Sequence, residues 1–276
     1  MDQLSVAQLA IYATLSVPTF YILWKRGVTG LLGWGYLLVF FSLRIVGCAM
    51  ALSGSTSAAI ISNIGLSPIL LATAGILHEA QVYLRPELNR KLEWLKVILY
   101  HIQVTGGIAL LAVGASQLQS SPHPTAGDRN MAKAGMGILT SAWAVLAIWI
   151  IFSCRPFSRL TRMEMDIGNM VRASPATSHA PQIDHQSLTT SLYAQLLIST
   201  LVSIPILGIR VIYSLVSLVS TKASDPSMAV RVVCTTLPEM IPAIIFCVVG
   251  LYTAVRPHTH EVTERNIHTD SGKSRV

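Results

Sequence analysis

The chain has 276 residues, 52% hydrophobic and only 12% charged, with a mean hydropathy of +0.56 and a formal net charge of +7. A soluble domain carries about 25% charged residues, so half the expected charge is missing and water is not the main solvent. The positive balance comes with no basic stripe interleaved with aromatic residues and no nucleic-acid motif, so no nucleic-acid partner is expected.

Seven apolar blocks lie near residues 5–24, 31–52, 58–77, 95–115, 135–153, 191–219 and 231–255. Their lengths approach the ~20 residues that a bilayer's hydrocarbon core demands of a helix. They lack the dyad alternation of an outer-membrane barrel, so helices are the expected spanning element. The expected fold is therefore all-α, a polytopic transmembrane seven-helix bundle over 1–256, followed by a disordered cytosolic tail at 257–276.

The first block ends at Lys25-Arg26 and lacks a basic segment ahead of it, which reads as a retained anchor. The second carries Arg44 in SLRIVGCAMALS, and the SGSTS loop joins it tightly to the third, which carries Asn63, Ser67 and Pro68 and ends at His78-Glu79. That His-Glu pair is expected at the cytosolic interface. In the fourth block His101 is expected to bond a neighbouring helix. The fifth block is the shortest, and the segment 154–190 after it, with SPATSHAPQIDHQS, reads as a flexible linker.

The sixth block, with Arg210 in GIRVIYSLVSLVS, is either one long tilted helix or a helix broken at Pro205. The seventh carries Pro238, Glu239 and Pro242 in LPEMIPAII. A weak internal repeat pairs the second block with the sixth through their arginines. Cys48, Cys154, Cys234 and Cys247 show no paired spacing, so no disulfide framework follows. No metal or cofactor is expected, since His258 and His260 lie on the tail and no HExxH, Walker, GxSxG or aspartate-rich motif occurs.

Charge sets the expected orientation. The first, third and fifth loops and the tail hold thirteen Lys and Arg, whereas the N-terminal segment and the even loops hold three. By the positive-inside rule the N-terminus lies outside the cytosol and the C-terminus inside it. The expected location is an endomembrane, the endoplasmic reticulum first and the plasma membrane second.

Ionisable groups within a span are costly unless something pairs or solvates them. At ~1.5 Å rise per residue, Arg44, Arg210 and Glu239 all fall about 12–13 Å from the outer boundary. Asn63, Ser67 and Tyr213 lie near the same layer. Helices two, three, six and seven can thus build one polar chamber. Its bland reading is an ion pair pinning helices together. Two guanidiniums and one carboxylate nevertheless leave one positive charge, which an electron-rich ligand or water would complete.

The succession of SLRIVG, NIGLSPILLAT, IRVIYSLVS and a seventh span with an acid after proline resembles a fungal family of small seven-span membrane proteins. That family includes the membrane-bound terpene cyclase of ascofuranone-type meroterpenoid biosynthesis. The resemblance covers nearly all spans but neither the 154–190 segment nor the tail. It implies cyclisation of an epoxidised farnesyl chain on a phenolic head, with a lipophilic prenylated phenol as substrate and the bilayer as its medium.

The resemblance brings no catalytic residues with it. On chemical grounds Glu239 is the expected acid or proton relay, positioned by Arg44 and Arg210, with Asn63, Ser67 and Tyr213 holding substrate. Two arginines nearby favour the ionised carboxylate, which makes a poor proton donor. The alternative is a proton passed from water. Two other classes share this topology: a seven-span receptor or sensor of a small lipophilic ligand, and a small-molecule transporter.

Overall fold

The computed structural model describes residues 3–55, 61, 64–84, 89–120, 125–172, 185–220 and 227–255, with side chains described outside 155–192 and 228. Among the described residues the chain is helical and has no strand. Seven long helices appear: α1 Gln3–Arg26, α2 Tyr36–Leu52, α3 Leu66–Leu84, α4 Arg90–Ser120, α5 Ala126–Arg172, α6 His185–Val219 and α7 Leu237–Val255. A 3-10 turn, Gly27–Gly30, and a π turn, Leu31–Gly35, separate α1 from α2, and a second π turn, Val232–Thr236, precedes α7.

Gly27, at φ +59°, ends α1 in the left-handed conformation that glycine adopts without steric cost. The chain then folds back. Tyr12 of α1 packs edge-on against Phe40 of α2 at 5.6 Å between ring centroids, and Gln8 accepts from Cys48 at 3.5 Å, so earlier residues of α1 meet later ones of α2. Gly54, at φ +77°, closes α2 in the same way, with the Gly54 amide on Ala51 O and the Ser55 amide on Met50 O.

The centre of the bundle is α3, buried continuously from Leu66 to Gln81. Small residues let neighbours approach its backbone. A Cβ on Gly75 would lie 2.5 Å from the Gly33 amide of the π turn. Between α4 and α5 the approach is equally direct: a Cβ on Gly135 would lie 2.7 Å from Gly107 O, and one on Gly114 2.5 Å from the Ala132 amide. Such small-residue seams let helices associate where lipid supplies no hydrophobic driving force between them.

Large apolar side chains cover the outside. Leu99 and Ile102 on α4, Phe152 on α5 and Val248 on α7 are all more than half exposed. Five helical stretches are long and apolar enough to cross a membrane: Gln3–Leu52, Arg90–Ser120, Ala126–Cys154, Tyr193–Val219 and Ala229–Val255. The chain is a multi-pass membrane protein.

Several boundaries differ from the sequence expectation. The third helix ends at Leu84 rather than near 77, where Glu79 and Gln81 find partners inside the bundle in Arg26, Trp34 and Ser153. Helix α5 continues to Arg172, and α6 begins at His185, so helix occupies much of the expected 154–190 linker. The reason is helical spacing: Phe157, Leu160 and Ile167 recur at three- to seven-residue intervals among charged residues. The stretch 173–184 and the tail lie outside the described residues.

Helix α6 runs unbroken through Pro205. Trp143 of α5 fills the notch at Gly208 and donates to Ile204 O at 3.0 Å, bracing the helix around the proline. Pro68, expected as a mid-span kink, sits in the first turn of α3, where a missing amide costs little.

Candidate functional site

Three helices deliver the charged residues expected within the spans to one point. Arg44 from α2, Arg210 from α6 and Glu239 from α7 are 8%, 3% and 1% exposed. Arg210 Nε donates to Glu239 Oε1 at 2.7 Å, and Arg44 Nη2 pairs with Glu239 Oε2. Each carboxylate oxygen therefore has its own guanidinium. Among the described residues no second carboxylate reaches the cluster.

The surroundings hold both arginines in place. Arg44 lies over the Phe40 ring at 5.5 Å, and a Cβ on Gly65 would come within 3.3 Å of its Nε, so glycine leaves the room that the guanidinium needs. Arg210 Nη1 donates to Ser214 Oγ one turn on, and Ser214 passes its own proton to Arg210 O at 2.9 Å. On the far side of Ser214 is a cavity of about 240 Å³ lined by Leu66, Leu111, Met136, Ser214, Ser217 and Leu218. Ser214 thus links the charged cluster to a small space whose walls are both polar and apolar.

The other residues expected here are placed less closely. Ser67 is buried but donates to Ile64 O of its own helix at 3.0 Å. Tyr213 is half-buried on α6 and makes no hydrogen bond to the cluster among the described residues. Asn63 lies outside the described residues. Two polar residues that sequence reasoning passed over extend the layer: Gln8 donates to Thr236 Oγ1 at 2.5 Å and accepts from Cys48. Gln8 looked unremarkable because it opens the first block, where a polar side chain is expected.

A second buried network lies at the opposite end of the bundle, where His78-Glu79 was expected merely at an interface. Glu79 is 5% exposed; Arg26 pairs with its Oε1, and Trp34 Nε1 donates to its Oε2 at 3.0 Å. Arg26 also lies over the Trp34 ring at 5.3 Å and donates to Thr253 of α7. Nearby, Lys96 pairs with Glu93 Oε1 at 2.6 Å, and Gln81 donates to Ser153 of α5.

Beside this network is the larger space, a pocket of about 400 Å³ between the Gly27–Gly30 turn, the end of α3 and the start of α4. Its walls combine Leu32, Val82 and Trp94 with His78, Gln81 and Glu93. His101, expected to bond a neighbouring helix, instead bonds Val97 O of its own helix at 2.7 Å and packs on Tyr36.

No curated protein and no solved structure matches the chain. A family match spans the N-terminal five helices, including Arg44, the Lys96–Glu93 pair and the Arg26–Glu79 network except Thr253, while Arg210 and Glu239 fall beyond it. That match is to the family described as Domain of unknown function (DUF7702), over residues 1–177 of 276, and the chain belongs to this family.

Proposed function

We propose that the chain is a seven-span membrane enzyme, N-terminus outside and C-terminus cytosolic, that cyclises the epoxidised prenyl chain of a lipophilic phenol in the outer half of its bundle. The alternation of helix ends supports the seven crossings. Arg26 at the end of α1 pairs with Glu79 near the end of α3 and bonds Thr253 near the end of α7, with Glu93 of α4 and Ser153 of α5 engaged at the same end of the bundle. Residues 8, 48, 210 and 239 meet at the other. The Lys and Arg asymmetry then supplies the orientation.

The observation that carries the enzymatic reading is the Arg44–Glu239–Arg210 cluster, linked through Ser214 to a small cavity, together with the resemblance of SLRIVG, NIGLSPILLAT and IRVIYSLVS to the cyclase family. With both oxygens engaged by guanidinium donors, Glu239 is an acceptor that holds the arginines. The arginines polarise the epoxide oxygen, and water delivers the proton as the C–O bond breaks. The carbocation is attacked by the chain's own double bond, and the last cation loses a proton or is captured by the phenol oxygen with loss of its proton. The proton gained at the epoxide equals the proton lost, so the product is an isomer of the substrate.

Microsomes carrying the full chain are expected to convert an epoxyfarnesyl phenol to a cyclic product of unchanged mass; substrate that reaches the membrane and stays unchanged overturns this reading. Arg210→Lys keeps the charge but loses the fork to Glu239 and Ser214, and should slow the reaction on the order of 100-fold. For topology, protease added to sealed microsomes should remove a C-terminal tag and spare an N-terminal one. The reverse pattern, or loss of both, would refute the orientation.

A further inference from the structure

Exposed hydroxyls such as those of Thr14 and Ser42 need nothing from outside, since they donate to Ala10 O at 2.8 Å and Leu38 O at 2.9 Å, one turn back on their own helices. The amide of Gln103 is different. Its Nε2 crosses from α4 to donate to Oγ of Ser141 on α5 at 3.0 Å, and this bond lies on the outer surface of the helix pair.

Ser141 gives its own proton to Ile138 O at 2.7 Å, so it accepts from Gln103. That leaves one Gln103 N–H and the Gln103 carbonyl oxygen without a partner among the described residues, and the oxygen is open at the surface rather than enclosed. Gln103 is 13 residues from Arg90 and 17 from Ser120, and Ser141 is 15 from Ala126 and 13 from Cys154, so the pair sits near mid-span. At that depth lipid tails offer neither donor nor acceptor, and a polar group left bare is costly.

The two leftover groups describe their own partner. One donor and one acceptor on a single amide are complementary to the same amide turned through a half-rotation. Copies in one membrane share an orientation, so a twofold axis along the membrane normal brings each residue against its counterpart at equal depth. The approach is open. Gly106, three residues on and on the same face, is exposed, and a Cβ there would meet nothing within 4 Å. Leu110, four residues further, is 37% exposed on that face. A small residue beside a polar one lets two lipid-embedded helices close to backbone contact.

We propose that the chain forms a twofold dimer in the membrane through the α4–α5 face, with Gln103 bonded to the partner's Gln103 at its centre and the two α4 helices crossing at Gly106. This surface shares no residue with the Arg44–Glu239–Arg210 cluster, so the dimer does not depend on the chemistry proposed there.

The test uses the full chain, labelled at its C-terminus with donor or acceptor dye, in phosphatidylcholine vesicles that hold no other protein, over a range of protein-to-lipid ratios. Energy transfer is expected to rise with protein density and to saturate at the level of a dimer. Gln103→Leu, which keeps the volume and removes both amide bonds, should weaken the dimer about tenfold. Gly106→Leu, which adds bulk where nothing is touched within one chain, should abolish it at the same densities, while Val248→Leu on the exposed face of α7 should leave it unchanged.

Transfer no greater than that of randomly placed monomers overturns the proposal, as does a dimer that withstands either α4 substitution in folded protein. If a variant misfolds, a benzophenone photo-crosslinker at Leu110 in the otherwise unaltered chain decides. A covalent dimer supports this surface, and crosslinks to lipid alone overturn it.

Discussion

Replacing Glu239 with leucine is expected to remove most of the chain from the folded, monodisperse fraction in mild detergent. The carboxylate is the shared partner of two guanidiniums, and deleting one member of a buried ionic group costs about 3–5 kcal/mol, because the charges left behind are desolvated and uncompensated. Here two positive charges are left facing each other across the α2–α6–α7 junction. A marginally stable fold does not absorb such a loss.

A companion variant separates structure from chemistry. Converting all three residues, with Arg44→Met, Arg210→Met and Glu239→Leu, replaces the ionic cluster by apolar side chains of similar size. Such replacements are often neutral or stabilising. The triple variant is expected to recover the elution profile and thermal midpoint of the unaltered chain and to form no cyclic product. If it folds and still cyclises substrate, the cluster is only a structural pin.

The second large effect lies far from any charge. Gly135→Leu is expected to lower stability by about 3 kcal/mol or more, since the new side chain points at the backbone of α4 and no flexible neighbour can yield to it. Gly107 O would lie 2.7 Å from the added Cβ, and Leu111 Cα 2.9 Å. Gly137, two residues on, is the control. A Cβ there meets nothing within 4 Å, so Gly137→Ala should be neutral or stabilise the helix by up to about 1 kcal/mol. Thermal midpoints of the two variants in the same detergent check the contrast, and equal effects would mean that α4 and α5 do not pack as described.

The Arg44–Glu239–Arg210 cluster was legible in the sequence for a simple reason. A charge in the middle of a long apolar run cannot be solvated by lipid, so Arg44, Arg210 and Glu239 had to find one another. Their distances from the span ends put all three in one layer. The second network was not legible by that route. Arg26, Glu79 and Glu93 stand at the ends of apolar runs, where charge costs little and carries no signal. Arg26 and Glu79 are held together by Trp34 and Thr253, which come from two other parts of the chain.

The glycines show the same division. Gly135 and Gly137 are indistinguishable by composition and spacing, yet one faces a helix backbone and the other faces outward. What the sequence by itself determined was a helical, multi-pass membrane chain and the residues whose charge demands a partner, because apolar length and the cost of an intramembrane ion are local properties. Which glycines are indispensable, where the larger pocket lies and that Glu79 is buried with Arg26 were decided only by the tertiary structure. Each depends on neighbours dozens to hundreds of residues away, and no local pattern encodes those distances.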